Sequence, residues 1–384
     1  MEVPPTCHYG IFFSTYTCFN MQPSSLFPKK RHATQFTNSI SSTQTDLTEH
    51  DHHNMNIPFQ SGSTDPYEFL HIVYNPTDDT LTRRFHFPCS NLDNDNSSLP
   101  FSAKDVPLNT HHKTWLRLYK PTTTSPHKLP LILYFHGGGF ILCSAADSIY
   151  HDFCGRLAAE LPAIVVSVEY RLAPENRLPA AYEDAEEAVK WVREQAIMDE
   201  ENKGEGEGWL RDVADFSNCY LMGISAGGNI AYNAALRCLP LDLKPVQIVG
   251  LILNDACFGG VERSGSEMRL ANDKVLPLAA KDLSWELSLP RGADRDHEYS
   301  NPTVGSLGRW EKIGWAGRCF VSAHGGDLLV DRELAVAKMM EREGVKVKVW
   351  FEEEGIHGIE LFDPCKTSAL LLHLKQFIYS PNVA

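Results

Sequence analysis

A serine flanked by glycines follows a short apolar run near the middle of the chain. Residues 223–227 are Gly-Ile-Ser-Ala-Gly, directly after the apolar run Tyr220–Met222. A G-x-S-x-G pattern at the change from strand to helix is typical of a nucleophile elbow, a sharp turn that lifts a serine hydroxyl above a sheet. The flanking glycines let the strand and the helix approach closely. The pattern predicts that Ser225 is a nucleophile, and an ordinary serine at a glycine-rich helix start is the alternative.

Three consecutive glycines follow another apolar run. Leu131–Phe135 leads into His136, three glycines and then Phe140. Unobstructed backbone N–H groups in such a loop can bind the oxyanion of a tetrahedral intermediate. A phosphate-binding loop would instead place Lys and Ser or Thr after its last glycine, whereas this loop continues with Phe and Ile. We therefore predict an oxyanion hole whose donors are Gly137, Gly138, Gly139 and Ala226.

A serine nucleophile needs a base, and the base needs a carboxylate that orients it. In hydrolases with this elbow, both follow the serine in the chain, first Asp or Glu and then His. Asp327 comes after the apolar run Cys319–Ser322, and His357 comes after the run Val345–Phe351. We therefore predict a triad of Ser225, His357 and Asp327.

Two rival assignments involve nearby residues. His324 could be the base, but it lies in the same short loop as Asp327, too near in sequence to be its partner across a site. Asp331 could be the carboxylate, but it immediately precedes the predicted helix Arg332–Arg342 and is better explained as the N-cap of that helix. Asp327 and His357 remain the preferred pair.

Strands alternate with helices from about Pro66 onward, and this alternation must position the groups above. The predicted strands are Leu131–Phe135, Ile164–Val168, Tyr220–Met222, Val249–Leu253, Cys319–Ser322 and Val345–Phe351. The predicted helices are His151–Leu161, Ala180–Gln195, Asn229–Leu239, Arg332–Arg342 and Lys366–Phe377. Such alternation predicts an α/β fold with a mostly parallel sheet covered by helices on both faces. Ligand sites in these sheets lie at the carboxyl ends of the strands, where the serine and the glycine loop are found.

Composition narrows the classes of partner. The 384 residues contain 49 acidic and 35 basic side chains, for a formal net charge of −14. This balance opposes binding to nucleic acid and to anionic lipid surfaces. The longest apolar runs are the length of a strand, so membrane insertion is not expected. These features favour a small molecule as the partner.

The spacing of cysteine and histidine carries no metal signature. Ten cysteines are scattered from Cys7 to Cys365 without a Cys-x-x-Cys pair, which predicts free thiols in a reducing compartment. The cluster of His50, His52 and His53 lies in a polar segment and is not expected to hold a functional metal. We therefore predict neither a metal nor a cofactor.

Residues 1–60 differ in composition from the rest of the chain. They are rich in Ser, Thr, Asn and His and show little apolar periodicity, so we expect a disordered N-terminal extension. Acidic residues are sparse before Asp46 while Lys29, Lys30 and Arg31 cluster, as in some transit peptides. We expect a cytoplasmic protein, with a plastid as the alternative if the extension is such a peptide.

Several motifs agree with one known family. They are His136–Gly139, Tyr170–Glu175, Gly223–Asn229, Gly326-Asp327 and His357-Gly358, together with Trp115–Tyr119 and Asp296–Val304. In these motifs the chain resembles the plant carboxylesterases of the hormone-sensitive-lipase group within the α/β-hydrolase fold, over roughly residues 66–378. The last two motifs are similar to one subgroup of that family. One departure is Ile224, since the family usually has Asp before the nucleophile.

The resemblance implies both a fold and an activity. It implies one α/β-hydrolase domain over residues 61–384, with an eight-stranded sheet and a cap above the site. The cap would consist of N-terminal helices from about residue 65 to 105 and of a segment near 265–300. It also implies that the predicted triad hydrolyses carboxylic esters without a cofactor.

The predicted substrate is a small-molecule ester with a short to medium-length acyl chain. We expect its pocket to be lined by Phe140, Ile224, Phe258 and Ile356. One alternative function is a lyase or cyclase of plant specialised metabolism that uses the same triad, because a fold does not fix a reaction. Another is a hormone receptor, because the gibberellin receptors resemble this family. Those receptors resemble hydrolases without the catalytic histidine, whereas His357 is present in this chain.

A histidine base also predicts a pH dependence. The base acts in its neutral form, so activity should rise with pH near the pKa of a free imidazole, about 6 to 7. A nearby carboxylate would raise this pKa, and Ile224 stands where the family has one. The sequence therefore predicts a rise at the lower end of this range.

Overall fold

The computed structural model of the protein describes residues 63–90, 92, 99–200, 207–305 and 308–380. The extension expected over residues 1–60 and the histidine cluster at 50–53 lie outside these ranges, so the expectations about them remain predictions.

A single sheet of eight strands forms the centre of the fold, in the order β10-β9-β8-β7-β5-β6-β4-β3. Strands β5 to β10 run parallel, β4 is antiparallel to β6, and β3 is antiparallel to β4. The strands are β3 (Phe101–Asn109), β4 (Thr114–Pro121), β5 (Leu129–Phe135), β6 (Ile164–Glu169), β7 (Ala214–Ile224), β8 (Ile248–Asn254), β9 (Arg318–His324) and β10 (Lys346–Glu352). The expected mostly parallel, eight-stranded sheet is confirmed.

Helices cover both faces of the sheet. The central strand β5, which is apolar throughout, packs against helices on both sides. Leu131, Leu133 and Phe135 pack in one core with residues of three helices, α3 (Ala180–Glu200), α5 (Ala226–Cys238) and α9 (Val330–Arg342). Ile132 and Tyr134 pack in a second core with two helices, α2 (Ser148–Glu160) and α10 (Pro364–Tyr379). Successive strand residues point to opposite faces, so a strand covered on both faces needs apolar residues throughout.

Other short elements complete the chain. They are α4 (Gly208–Val213), α6 (Gly265–Arg269), α7 (Leu278–Ser288), α8 (Arg309–Ile313) and a 3₁₀ turn at Ile359–Leu361. No helix within the described ranges combines the length and the apolar content needed to cross a bilayer.

The segment from residue 65 to 105 differs from the expected set of helices. Among the described residues of this segment only α1 (Pro66–Phe69) is helical, and it is followed by an antiparallel hairpin of β1 (Ile72–Asn75) and β2 (Thr80–Arg83). The hairpin strands carry Ile, Val, Tyr and Thr, which favour extended backbone. The segment then joins the sheet edge as β3, which begins at residue 101.

The hairpin segment and α7 share a small core of their own. Phe69, Leu70 and Leu81 pack with Ala280 and Leu283 of α7 in a cluster separate from the two cores of the sheet. The same cluster contains two residues of the loop after β5, namely Ile141 and Leu142. Apolar burial therefore holds these cap segments against the carboxyl end of the sheet.

The predicted N-cap role of Asp331 is wrong. Helix α9 begins at Val330, and its N-cap is Leu329. The Asp331 carboxylate instead accepts a hydrogen bond from the Ser266 backbone N–H at 2.6 Å. Asp331 therefore links α9 to α6 through a long-range contact that no local capping pattern could indicate.

Candidate active site

The backbone at Ser225 forms a strained turn between β7 and α5. Its φ is 55° and its ψ is −122°, a conformation that L-amino acids rarely adopt. The Ser225 N–H donates to the Asn254 carbonyl at 3.0 Å, and the Ser225 carbonyl accepts from the Cys257 N–H at 2.9 Å. Asn254 is the last residue of the adjacent strand β8 and Cys257 lies in the loop after it, so the neighbouring strand and its loop hold the turn in place.

The glycines of the elbow are required by close backbone approach. A Cβ on Gly227 would lie closer than 3.0 Å to the carbonyl oxygen of Phe135, which real Cβ atoms essentially never do. A Cβ on Gly223 would lie equally close to the carbonyl of Gly227. The absence of side chains at these two positions is what lets α5 start directly against β5 and β7.

The three predicted triad residues lie in hydrogen-bonding order. The Ser225 hydroxyl is 2.9 Å from Nε2 of His357, and Nδ1 of His357 is 2.6 Å from an oxygen of Asp327. The other Asp327 oxygen accepts from the Leu329 N–H at 2.9 Å. Asp327 and His357 follow β9 and β10, and Ser225 follows β7, with β8 between β7 and β9. The carboxyl ends of parallel strands at one edge of the sheet therefore bring the three groups together.

Two carboxylates control the charge of His357. Burial by itself would lower the pKa of His357, but the nearby carboxylates of Asp327 and Asp255 outweigh it and raise this pKa to about 9. The expectation of a value near that of a free imidazole did not include Asp255. Burial raises the pKa of Asp327, and the positive charge of His357 opposes that rise.

The glycine loop lies beside Ser225, as the sequence predicts. A Cβ on Gly137 would lie 3.3 Å from the Ser225 Cβ. Gly138 and Gly139 have φ values of 106° and 61°, which glycine adopts without strain. Within the described residues, the N–H groups of Gly138, Gly139 and Ala226 donate to no other protein group. These donors are therefore available to an oxygen bound beside Ser225.

His136 supports the loop and lies away from the reacting atoms. Its ring is fully buried and stacks on Tyr170, with 4.2 Å between the ring centroids. Nδ1 of His136 is 2.7 Å from the Gly137 carbonyl, and the Tyr170 hydroxyl donates to the His136 carbonyl at 2.9 Å. Burial lowers the pKa of His136 to about 4, so this ring is neutral at pH 7.

A cavity of about 120 Å³ opens onto Ser225 and His357. The apolar side chains of its wall come from the cap segments and from loops at the carboxyl end of the sheet. They are Phe69, Leu70, Phe87, Leu142, Ile149, Ile224, Val275, Leu276, Leu361 and Phe362. The wall residues before position 90 and between 270 and 290 belong to no recognisable sequence motif, so the sequence did not indicate that they line the cavity.

Of the four predicted pocket residues, only Ile224 lines the cavity. The expectation is wrong for Phe140, which is buried against Trp285 with 5.1 Å between ring centroids. It is also wrong for Phe258, which is buried against Tyr232. Ile356 is partly buried and lies outside the cavity wall. Proximity to the motifs in sequence did not place these side chains in the cavity wall, because Phe140 and Phe258 turn into the core.

His324, the rival base, is bound to a different carboxylate. Its Nδ1 is 2.9 Å from an oxygen of Asp255, and both residues are fully buried. Asp255 is the residue of this network that sequence reasoning missed. The available signal was an acidic residue directly after the buried strand β8, at the same edge of the sheet as the nucleophile.

Asp255, Asp327 and His357 bring their oxygen and nitrogen atoms within 4.8 Å of one another, as metal ligands would. The described hydrogen bonds already engage these atoms. Asp327 binds His357 and the Leu329 N–H, and Asp255 binds His324 and the Gly358 N–H. The group is therefore satisfied as a hydrogen-bond network without a cation.

Comparison with known proteins identifies the family. A family model described as alpha/beta hydrolase fold matches residues 132–361. The chain is 48% identical over 321 residues to a 3-O-acetylpapaveroxine carboxylesterase of Papaver somniferum, covering 82% of this chain and 99% of that protein. It is 50% identical over 323 residues to a probable carboxylesterase of Arabidopsis thaliana, covering 83% and 94%. A solved esterase of Pyrobaculum calidifontis is 25% identical with a TM-score of 0.60, covering 74% and 86%. The chain therefore belongs to the α/β-hydrolase fold family, and within it to the hormone-sensitive-lipase group that contains the plant carboxylesterases.

Proposed function

We propose that this protein is a serine carboxylesterase that hydrolyses small-molecule esters through an acyl-enzyme intermediate. The observation that carries the proposal is the hydrogen-bonded chain from Ser225 through His357 to Asp327, at 2.9 Å and 2.6 Å. The names of the plant relatives support it, because they are carboxylesterases. Each group that acyl transfer requires has a counterpart among the residues of the site.

Acylation begins at the serine hydroxyl. His357 accepts the hydroxyl proton through Nε2 while Oγ of Ser225 attacks the ester carbonyl carbon. Asp327 holds the imidazole in place and stabilises the imidazolium. The carbonyl oxygen becomes an oxyanion that accepts hydrogen bonds from Gly138, Gly139 and Ala226, each worth on the order of 3 kcal/mol in such sites.

The second half of the cycle releases both products. The imidazolium gives its proton to the leaving alkoxide oxygen, and the alcohol departs from the acyl-enzyme. A water molecule then loses a proton to His357 and attacks the acyl carbon. Collapse of this second tetrahedral intermediate returns the proton to Ser225 and releases the carboxylic acid.

The cavity supports a short to medium-length acyl group. Its volume of about 120 Å³ and its mostly apolar wall suit a few methylene groups and do not suit a charged chain. The poppy relative is named for an acetyl ester, and an acetyl group is well within this size. Acetyl and butyryl esters are therefore the substrates that we expect to react fastest.

A panel of 4-nitrophenyl esters with acetyl, butyryl, octanoyl and palmitoyl chains tests the proposal. We expect kcat/KM to be highest for the acetyl or butyryl ester and to fall sharply at palmitoyl. Ser225→Ala should lower turnover by on the order of 10⁴-fold or more while the circular dichroism spectrum stays unchanged. A variant that keeps more than about a tenth of the activity would show that Ser225 is not the nucleophile.

Product analysis separates hydrolysis from the two other functions. Hydrolysis yields one acid and one alcohol for each ester consumed, and a lyase or cyclase yields an unsaturated or cyclic product instead. A receptor would bind a ligand without turnover, so measurable turnover of the panel by the intact chain excludes that role.

We also place the protein in the cytoplasm. The five buried cysteines in the described part of the chain are free thiols, as in proteins of a reducing compartment. The basic cluster near residue 30 keeps a plastid as the alternative.

A further inference from the structure

We infer that Asp255 and His324 form a positioning pair that holds the loop carrying His357 against Ser225. This inference rests on the proposed function, because it assigns the pair a part in the same reaction. The pair is a second buried Asp–His unit beside the triad, and in the described structure neither of its side chains hydrogen-bonds to Ser225. Its members come from the ends of β8 and β9, next to each other in the sheet.

Asp255 binds the backbone directly after His357. One oxygen of its carboxylate accepts a hydrogen bond from the Gly358 N–H at 2.8 Å. The Asp255 backbone has a φ of 42°, in the left-handed region that residues other than glycine seldom adopt. The Asp255 side chain is fully buried, so no water competes for this bond.

His324 packs against the other end of the same loop. Gly355 lies two residues before His357 and has a φ of 128°. A Cβ added there would lie 2.5 Å from Cδ2 of His324, so the imidazole ring lies flush with the bare backbone. The loop at residues 355–358 is therefore held by the ring at its start and by the Asp255 carboxylate at its end.

A pair is needed because the site buries two carboxylates close together. Oxygen atoms of Asp255 and Asp327 lie within 4.8 Å of each other and of a ring nitrogen of His357. An unpaired buried carboxylate at this place would be costly and would repel Asp327. Burial lowers the pKa of His324, but Asp255 outweighs burial and raises it to about 9, so at pH 7 His324 carries the charge that neutralises Asp255.

Other titratable groups surround the pair, and they leave its charge intact. Nε2 of His324 lies 3.5 Å from Glu360 and 3.8 Å from Glu352. Burial raises the pKa of Glu360 to about 8 and raises the pKa of Glu333 well above its usual range, so both are mainly neutral at pH 7. Glu352 is neutralised by Lys366 at 2.7 Å.

His357 itself faces three carboxylates. Asp327 and Asp255 raise its pKa most, and Asp273 of the cap segment raises it further. Loss of Asp255 therefore lowers the pKa of His357 in either charge state of His324. If His324 stays charged, its positive charge, no longer neutralised by Asp255, lowers the pKa of His357 further. If His324 becomes neutral, the pKa of His357 falls only because the Asp255 carboxylate is lost.

Two substitutions of Asp255 separate the hydrogen bond from the charge. Asp255→Ala removes both, and we expect kcat to fall by about 10²-fold with KM changed less than about threefold, since a base displaced by about 1 Å loses that much. Asp255→Asn keeps a side-chain oxygen that can accept the hydrogen bond from the Gly358 N–H. Its NH₂ group can donate to a ring nitrogen of a neutral His324. We expect it to recover most of kcat, and we expect the activity limb of both variants to lie at lower pH than that of the intact protein.

Glu333→Gln is the matched control. It also converts a fully buried carboxyl near Asp327 to an amide, but neither carboxyl oxygen of Glu333 has a hydrogen-bond partner in the described structure. We expect its kcat and pH profile to match those of the intact protein. If Asp255→Ala does not fold, the pH profile of Asp255→Asn alone tests the inference. A limb at lower pH than that of the intact protein supports the pair, and an unshifted limb contradicts it.

The rate at which a fluorophosphonate labels Ser225 gives a readout without an ester. A protein that is labelled but hydrolyses no ester contradicts the proposed function, and the labelling rates of the Asp255 variants still test the pair. Wild-type kcat and an unshifted pH profile in the Asp255 variants would overturn the inference. An Asn variant as slow as the Ala variant would overturn it too, because the bond to Gly358 would then be irrelevant.

Discussion

Ile224 gives the site an apolar residue directly before the nucleophile. Its side chain is buried and forms part of the cavity wall. An acid at this position would add a further carboxylate to the wall of the cavity, where His357 already faces three carboxylates. The apolar side chain therefore limits the negative charge around His357 and also makes the cavity more suitable for an alkyl group.

The pH dependence of turnover follows from this charge balance. The proposed base His357 accepts a proton only when it is neutral, so we expect activity to rise as pH rises through its pKa, which the nearby carboxylates raise to about 9. We expect kcat/KM for an unactivated short ester, measured from about pH 5.5 to 10, to rise mainly above pH 7. Ile224→Asp adds a negative charge that favours the imidazolium, and we expect it to move this rise to still higher pH.

Ile224→Asn is the matched control for that experiment, because the Asn side chain has nearly the same size as that of Asp but carries no charge. An unshifted rise in Ile224→Asp would contradict only the role given to residue 224. A flat profile in the intact protein would mean that His357 is not the base.

At the scale of elements, the elbow requires that the backbone of α5 packs directly against the backbone of β5, with no side chain between them at Gly227. Gly227→Ala would place a methyl group inside the contact distance of the Phe135 carbonyl, which cannot move without distorting β5. Such overpacking costs about 1–3 kcal/mol or more, and we expect the melting temperature to fall by at least about 3 °C. We also expect kcat to fall, because the same helix start carries the Ala226 N–H.

Gly208→Ala is the matched control for the elbow. A Cβ at Gly208, at the start of α4, would meet only the end of the flexible Arg211 side chain, at 3.7 Å. We expect this variant to melt with the intact protein in differential scanning calorimetry. A Gly227→Ala variant that melts within 1 °C or so of the intact protein would show that the elbow tolerates a wider spacing.

We expect the cap segments to limit the size of the acyl group. The hairpin segment supplies Leu70 and Phe87 to the cavity, and the segment before α7 supplies Val275 and Leu276. Neither segment contributes a residue to the predicted triad, so we expect acyl preference to depend mainly on elements other than those that carry the triad. This separation lets the cap change without moving the reacting atoms.

At the scale of the whole molecule, the site and its support fall within the described ranges of residues 63–380. The polar composition of residues 1–54 contributes no core-forming pattern. A chain that begins at Met55 should therefore fold and hydrolyse the ester panel with a kcat/KM within about twofold of that of the full chain. Insolubility of the shorter chain would show that the first 54 residues contribute to the fold.

Fluorescent fusions of the full chain and of the chain that begins at Met55 test the cellular location of the protein. We expect cytoplasmic fluorescence from both in leaf cells. Plastid fluorescence from the full chain alone would identify the first 54 residues as a transit peptide and contradict the cytoplasmic assignment.

The sequence by itself determined the groups whose chemistry depends on adjacent residues. The elbow around Ser225 and the glycine loop after Phe135 are continuous motifs, because a tight turn is made by neighbours in the chain. The mostly parallel sheet follows from apolar runs that alternate with helices, since strands covered on both faces must be apolar throughout. The order of Asp327 and His357 after their strands then predicted which residues would meet the serine.

Only the tertiary structure decided the features that join distant parts of the chain. Asp331 contacts α6 instead of capping its own helix, Phe140 turns into the core, and the N-terminal cap segment contains a hairpin where a set of helices was expected. Asp255 reaches the loop of His357 across 103 positions of sequence. Such contacts have no local pattern, because they depend on which strand ends meet at one edge of the sheet. The charge of His357 depends on the same contacts, so its pKa became predictable only when its neighbours were known.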